Sequence, residues 1–527
     1  MNWVIGLAAR SQRQVTPMQH GTLLAVVSVA LVFALAARLC PAAAQNVTRE
    51  STTTAPESKP SAAPQQTGAG AQQQNAVAQM HTGTSSGPDS EARMQNLLAD
   101  HQYIRMQAQL GDLPSDQAQV YRGILANRTN QLEQSVQLLE PLVDQVTASG
   151  DKTREKLLRM TLAEDYLRLG DWDKAGQAFR DIDDRLHGVL SSGEQDEIEM
   201  PLKMLPLVKG NLPITADSCE PFRIQVSTNP LGLIDVPVLI DSSSHHWMLD
   251  PTSQFNFISR SVAQDAGLEI SRDSATIHTL TGRPIQVHGT VIQEFIIGGR
   301  LTLHNVTAFV FDDGDYTFKS AGYRVEGVLG YPVLAAMGRL IVSDNTIQVD
   351  PAKEDGPNEV ADRLTTGAQF YLDGDQIIVA LGRAQEPAPA LLAPDSPAQG
   401  SSAGRPGGSG GREGSDDQMF SIDAGGQQTY LTARWFNEHA AEFTGKKLEP
   451  FTFPDTDSGP RSAYIAENVP LAIGDTAIEL HNVPVLTQPL GAAAHDDVYG
   501  VIGIDGLDQL TSYTFDYRTM RFSASAE

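Results

Sequence analysis

Two stretches decide how this chain is read. One is Leu249-Asp250-Pro251-Thr252-Ser253, followed by Phe257-Ile258-Ser259; the other is Ile422-Asp423-Ala424-Gly425-Gly426, followed by Tyr430-Leu431-Thr432. Each sets an aspartate after an apolar run, then small or turn-forming residues, then an apolar pair closed by a hydroxyl residue. The same order continues outward: Leu303-His304-Asn305-Val306 answers Leu480-His481-Asn482-Val483, and Gly327-Val328-Leu329-Gly330 answers Gly500-Val501-Ile502-Gly503. From aspartate to last glycine is 330 − 250 = 80 residues in one copy and 503 − 423 = 80 in the other. Ordered landmarks at such spacing imply a duplicated unit. Short alternating apolar runs such as Phe222–Val226 and Val236–Ile240, bounded by Gly, Pro, Asn and Asp, predict that the unit is built of strands.

The set of landmarks resembles the retropepsin-like aspartyl proteases over about residues 220–527: apolar strand, aspartate turn, apolar-Ser, the Ala266-Gly267-Leu268 turn, a hairpin at Thr281-Gly282, and apolar-apolar-Gly. The resemblance implies a first lobe at 218–355, a second at 366–527, and an extended peptide bound between them under one or two hairpin flaps. It implies Asp250 and Asp423 as a catalytic pair in one chain, hence a monomer. Two carboxyls that close share one proton. One acts as base on a water while the other donates a hydrogen bond to the scissile carbonyl. Substrate-side roles fall, by the same resemblance, on Thr252, Gly425 and the flap glycine Gly282.

In that family a Thr or Ser after the aspartate bonds across to the other lobe, and the next glycine lets the backbone pass close to the carboxylate. Asp250-Pro251-Thr252 has a proline there, which lacks an N–H and fixes φ, and a branched residue in place of the glycine. Asp423-Ala424-Gly425 keeps the glycine but has no hydroxyl. Thr252 is the one hydroxyl that could stand in from a shifted position. The expectation is therefore peptide binding or hydrolysis, with activity reduced or lost. Without the resemblance, each aspartate reads as a turn residue at a strand end. The alternative function is a non-catalytic scaffold or peptide-binding protein that uses its helical segment.

That segment is residues 89–205, where Gly and Pro thin out and apolar residues recur at helical spacing. Leu162–Ala175, with its Leu169-Gly170-Asp171 turn, resembles a tetratricopeptide unit, and Ile124–Leu139 looks like a weaker copy. A plain helical hairpin bundle fits the same residues. Either form offers a surface for a protein partner. The fold class expected is thus multidomain, all-α helical hairpins followed by an all-β two-lobed acid-protease-like domain.

Before the helices, Arg10 and Arg13 precede the apolar run Leu23–Ala37, and Ala42-Ala43-Ala44 offers small residues before Gln45. This predicts a cleaved signal peptide over 1–44 and a periplasmic or secreted protein that leaves the membrane after cleavage; an uncleaved anchor is the competing reading. Residues 45–88 and 386–416, rich in Ala, Gln, Gly, Ser and Pro, read as a linker and a hairpin insertion. Cleavage would remove Cys40 and leave Cys219 as a bystander thiol. A net charge of −26 argues against nucleic acid and anionic membrane surfaces as partners. No cofactor motif is present. His245-His246 makes a poor metal pair, because neighbours on a strand face opposite ways. The sequons at Asn46, Asn127 and Asn305 matter only in a eukaryotic secretory route.

Overall fold

The computed structural model describes residues 88–278, 284–319, 321–351, 367–382, 418–451, 461–489 and 497–525. The expected signal peptide, the linker up to residue 87, the 386–416 insertion and the flap glycine Gly282 lie outside the described residues.

Residues 88–208 are helical. The α-helices are α1 (Pro88–Ala99), α2 (Tyr103–Gln109), α3 (Ser115–Arg128), α4 (Leu132–Leu139), α5 (Val143–Ser149), α6 (Lys152–Arg168), α7 (Trp172–Leu186) and α8 (Ser192–Met204). The starts of α6, α7 and α8 carry side-chain caps, which satisfy otherwise unpaired N–H groups. Asp151 accepts from Arg154 N at 3.0 Å, Asp171 from Lys174 N at 3.1 Å, and Ser191 forms a capping box with Glu194. Two hairpins, α3–α4 and α6–α7, turn in the same way. Asn130 (φ 58°) and Gly170 (φ 69°) take the left-handed conformation. Each is followed by an N–H bonded five residues back, Gln131 to Ala126 and Asp171 to Tyr166. Between the hairpins, Asp165 accepts from Asn127 Nδ2 at 2.8 Å and Ser135 Oγ at 2.6 Å. Asn127 is fully buried, so its sequon cannot carry a glycan in the folded chain.

The remainder is mostly β. Its principal strands are β1 (Phe222–Gln225), β2 (Ile234–Ile240), β3 (Ser243–Leu249), β4 (Asn256–Ser259), β5 (Ala275–His278), β6 (Pro284–Ile297), β7 (Leu301–Phe311), β8 (Gly327–Leu329), β9 (Arg339–Ser343) and β10 (Thr346–Asp350). They continue as β11 (Ala368–Asp373), β12 (Gln376–Leu381), β13 (Gln418–Asp423), β14 (Tyr430–Leu431), β15 (Glu449–Phe451), β16 (Arg461–Ile473), β17 (Thr476–Leu486), β18 (Gly500–Gly503), β19 (Ser512–Asp516) and β20 (Arg521–Ser525).

One pairing scheme occurs twice. In the first half β3 runs parallel to β8, β8 antiparallel to β4, and β4 parallel to β7. In the second, β13 runs parallel to β18, β18 antiparallel to β14, and β14 parallel to β17. Hairpins β5–β6 and β15–β16 occupy matching places. The halves meet in an antiparallel layer ordered β11-β20-β19-β9-β10-β1, joined at β9–β19. Leu340, Val342, Phe370, Phe515 and Phe522 of this layer are buried in a core shared by both halves and the helices.

The helical region is docked on both β halves. Tyr103 packs on Tyr371, ring centroids 4.6 Å apart. Tyr331 donates to Asn130 Oδ1 at 2.6 Å, and Asn211 to Thr307 Oγ1 at 3.1 Å. Gly289 of β6 lies so close to the backbone after α8 that an added Cβ would sit 2.3 Å from Leu207 O.

Candidate active site

Asp250 follows the last residue of β3 and Asp423 is the last residue of β13. Each is delivered by a strand paired in parallel with the strand that leads into or ends at the far glycine of its copy. The loops after them share a hydrogen-bond scheme at identical offsets. Three residues on, Ser253 N donates to Asp250 Oδ1 at 3.1 Å and Gly426 N to Asp423 Oδ1 at 2.7 Å. The carbonyl of that residue accepts from Tyr331 N at 2.7 Å in one copy and from Ile504 N at 2.8 Å in the other. Six residues on, Asn256 Oδ1 accepts from Gly330 N and Thr429 Oγ1 from Gly503 N, both at 3.0 Å. These braces tie each aspartate loop to its glycine-ended strand. They leave one carboxylate oxygen of each pair gripped by backbone donors.

Asp250 is fully buried and Asp423 is 4 % exposed. Asp250 Oδ1 also accepts from Thr252 N at 3.1 Å and Thr252 Oγ1 at 2.8 Å, while Oδ2 has no hydrogen-bond partner. Burial, reinforced by the nearby Asp423 charge, pushes the Asp250 carboxyl up to about 8. The Asp423 charge is thus felt at the Asp250 carboxyl, and the two titrate as a pair.

The structure places the expected site residues unevenly. Asp250, Thr252, Asp423 and Gly425 are all buried in the two loops. The Thr252 hydroxyl stays within its own loop, on Asp250, and does not serve as the cross-half bond. The glycine against the second carboxylate is Gly426: a Cβ there would lie 2.2 Å from Asp423 Oδ2. A bond between the halves comes instead from Gln427, whose Nε2 donates to Leu231 O. Sequence reasoning missed Gln427, Gly426 and the Asn256/Thr429 braces. The equal offset of the last pair, 256 − 250 = 6 and 429 − 423 = 6, was the available signal. His245 lies 3.6 Å from Glu326, and among the described residues no cluster of three or more His, Cys, Asp or Glu is arranged to hold a metal.

The helices also reach the Asp250 loop. The last turn of α6 faces the Asp250 loop and the β11–β12 turn across a crevice lined by Glu164, Arg168, Pro251, Thr252, Tyr331 and Gln376, among others. Beside it, Asp373 accepts from Tyr103 OH at 2.5 Å and pairs with His101 Nδ1 at 3.0 Å and Arg128 Nη2 at 2.6 Å. Burial alone would raise Asp373, but the Arg128 charge and the His101 bond hold it well below the usual carboxylate range. Burial would likewise lower His101, yet its bonds to Asp373 and Asp497 hold it up at about 9.

Residues 236–333, which include Asp250, match an aspartyl protease family model. No curated protein matches the chain. Among solved structures, a retropepsin-like aspartic protease from Rickettsia conorii shares 14 % identity, covering 26 % of this chain and 95 % of its own, with a TM-score of 0.19. Basic 7S globulin from soybean shares 9 %, covering 59 % of this chain and 97 % of its own, with a TM-score of 0.35. The family match thus gives an aspartic-protease-like domain over residues 236–333.

Proposed function

We propose that the two β halves are tandem retropepsin-like lobes of an exported protein, and that they bind an extended polypeptide between them with Asp250 and Asp423 as the dyad. The observation that carries this reading is the shared hydrogen-bond scheme at equal offsets on the two aspartates, with the Asp423 charge felt at Asp250. In this reading the dyad proton resides on Asp250, which donates to the scissile carbonyl. Asp423, gripped by Gly426 N, is placed to take a proton from an attacking water. The apolar run and small residues before Gln45 support the export half of the reading.

Binding is favoured over fast turnover. Pro251 and Ala424 supply no hydroxyl after either aspartate, and the Thr252 hydroxyl is spent on Asp250 itself. The hydroxyl residue that would fix the two loops relative to each other is thus missing from the position after each aspartate, and small misplacements are costly in rate. The helical hairpins, read as tetratricopeptide-like, serve here as part of the cleft's frame, because they are docked on both lobes.

The test is cleavage and binding of an unfolded polypeptide at acidic pH, with and without pepstatin, for wild type, Asp250→Asn and Asp423→Asn. Binding competed by pepstatin with slow or absent cleavage is expected. Robust pepstatin-sensitive turnover, abolished by either substitution, would overturn the reduced-activity reading. No polypeptide binding at all would overturn the cleft reading.

A further inference from the structure

Resting on the dyad reading, we propose that Gln427 is a positioning residue: its bond to Leu231 O stands in for the missing cross-half hydroxyls and sets the Asp423 loop against the hairpin that carries Asp250. Asn229, Asp235 and Tyr323 hold its acceptor in place.

Gln427 directly follows Gly426, whose N–H grips Asp423 Oδ1 at 2.7 Å. Its own carbonyl accepts from Asp505 N at 3.3 Å, within the second half. Its side chain leaves that half and donates through Nε2 to Leu231 O. The acceptor lies in a tight turn, residues 229–233, closed by Asn229 N to Leu233 O at 2.8 Å and by Gly232 N to Asn229 O at 2.9 Å. Leu231 O and Gly232 N belong to one planar peptide unit. With its N–H turned in toward Asn229 O, its carbonyl points out of the turn, where Gln427 meets it.

The turn is built around one side chain. Asn229 Oδ1 accepts from Leu231 N at 2.9 Å and Leu233 N at 3.1 Å, and Nδ2 donates to Asp235 Oδ1 at 2.9 Å and Tyr323 OH at 3.2 Å. Tyr323 OH in turn donates to Asp235 Oδ1 at 3.0 Å. Asn229, Leu231 and Asp235 are buried, and a buried network whose members are paired is rigid. The turn leads into β2, where Asp235 stands opposite Met248 of β3, 250 − 248 = 2 residues before Asp250. The turn and Asp250 thus share one end of one hairpin, so a bond from Gln427 joins the supports of the two carboxyls. The other side has a similar placement. The turn before β12 shares a crevice with Gln254, which follows Asp250 by 254 − 250 = 4 as Gln427 follows Asp423 by 427 − 423 = 4. That turn is held at Asp373 by Arg128 and His101 of the helical region.

The experiment follows the Asp250 carboxyl by carbon-13 NMR in the full chain, with aspartate enriched at the carboxyl carbon and the resonance assigned by Asp250→Asn. In wild type it is expected to titrate at about 8, and Asp423→Asn to lower that midpoint by removing a charge that raises it. Gln427→Met keeps the side-chain length and loses the donor. It is expected to let the loops part and admit water, so that the Asp250 ionisation constant rises about tenfold. Gln428→Met is the control: its side chain bonds Asp505 within its own half at 3.3 Å, and its loss is expected to leave the midpoint in place. Tyr323→Phe is expected to shift the midpoint the same way as Gln427→Met but by less, and it decides the matter if Gln427→Met fails to fold. A midpoint unchanged in Gln427→Met, or shifted as far by Gln428→Met, overturns the inference and leaves the dyad standing. A wild-type carboxyl that titrates in the ordinary range and ignores Asp423→Asn overturns both.

Discussion

Ile341 and Thr514 face each other on the adjacent antiparallel strands β9 and β19. Each lies the same distance from its own aspartate, 341 − 250 = 91 and 514 − 423 = 91. The neighbouring pairs, Leu340 with Phe515 and Val342 with Tyr513, fall at +90 with +92 and +92 with +90. This register reads alike from either strand, as it does between units related by a two-fold axis. A slip of one residue would turn every buried side chain of the seam outward. The register therefore fixes how the two aspartate loops are presented to each other.

The first prediction concerns Asp250. An acid whose folded pKa is raised stabilises the fold fully below its unfolded value and loses that contribution as pH climbs through the folded one. For Asp250 the window runs from the ordinary 3.8 up to about 8. Wild-type Tm is expected to fall across this window, and Asp250→Asn to remove much of the slope, since an amide does not ionise. The difference amounts to a few kcal/mol, at about 1.4 kcal/mol per pKa unit. Equal slopes for the two proteins would show that the carboxyl ionises as freely folded as unfolded.

Gly426 offers a steric test. Its added Cβ would lie 2.2 Å from Asp423 Oδ2, within a loop whose N–H already grips the other oxygen. Gly426→Ala is expected to destabilise by on the order of 1–3 kcal/mol through overpacking, and to weaken polypeptide binding as the carboxyl is pushed aside. Chemical denaturation and the binding assay check it together. A fully stable, fully binding variant would mean that the loop relaxes freely and that the carboxyl position is not set by Gly426.

How much of this was readable beforehand follows from where each signal lies in the chain. The repeat was legible because its landmarks are local: an aspartate behind an apolar strand and a glycine behind another, 80 residues apart in both copies. Asn305 and Asn482, matched by sequence, also share a left-handed φ of 58° and 57°. The choice between Gly425 and Gly426 was not legible, because it depends on which way the carboxylate turns within the loop. Docking of the helices was not legible either. Its polar centre joins His101, Tyr103 and Arg128 to Asp373, some 373 − 101 = 272 residues from the first. Isolated side chains that far apart leave no periodic trace.

That polar centre makes a third prediction. Asp373→Asn leaves the buried Arg128 and the protonated His101 without their shared anion, a loss on the order of 3 kcal/mol for a broken buried pair. Hydrogen exchange is expected to rise in α2, α3 and the β11–β12 hairpin while β13 and β18 stay protected. The same contact depends on pH through His101. Its folded pKa is raised to about 9, so its contribution is complete below the ordinary 6.5 and is lost as pH rises through 9. His101→Gln should therefore lower Tm at pH 7 more than at pH 10. An equal loss at both would show that the imidazole acts by packing and not by charge.

Gly289 carries the last prediction. It sits in the middle of β6, the strand that leaves the hairpin with β5, and the backbone at Leu207 presses on it from the end of the helical region. A methyl group there would meet Leu207 O at 2.3 Å and the carbonyl carbon at 2.9 Å, both main-chain atoms that no rotamer change can move. Gly289→Ala should thus pry the segment after α8 off the sheet without touching the aspartate loops, which hang from β3, β8, β13 and β18. Limited proteolysis is expected to cut near residues 205–211 in the variant before it cuts either β half. If the helices are part of the cleft's frame, polypeptide affinity falls with that loosening. If affinity holds while the junction becomes labile, the helices are a separable accessory and the two β halves bind alone.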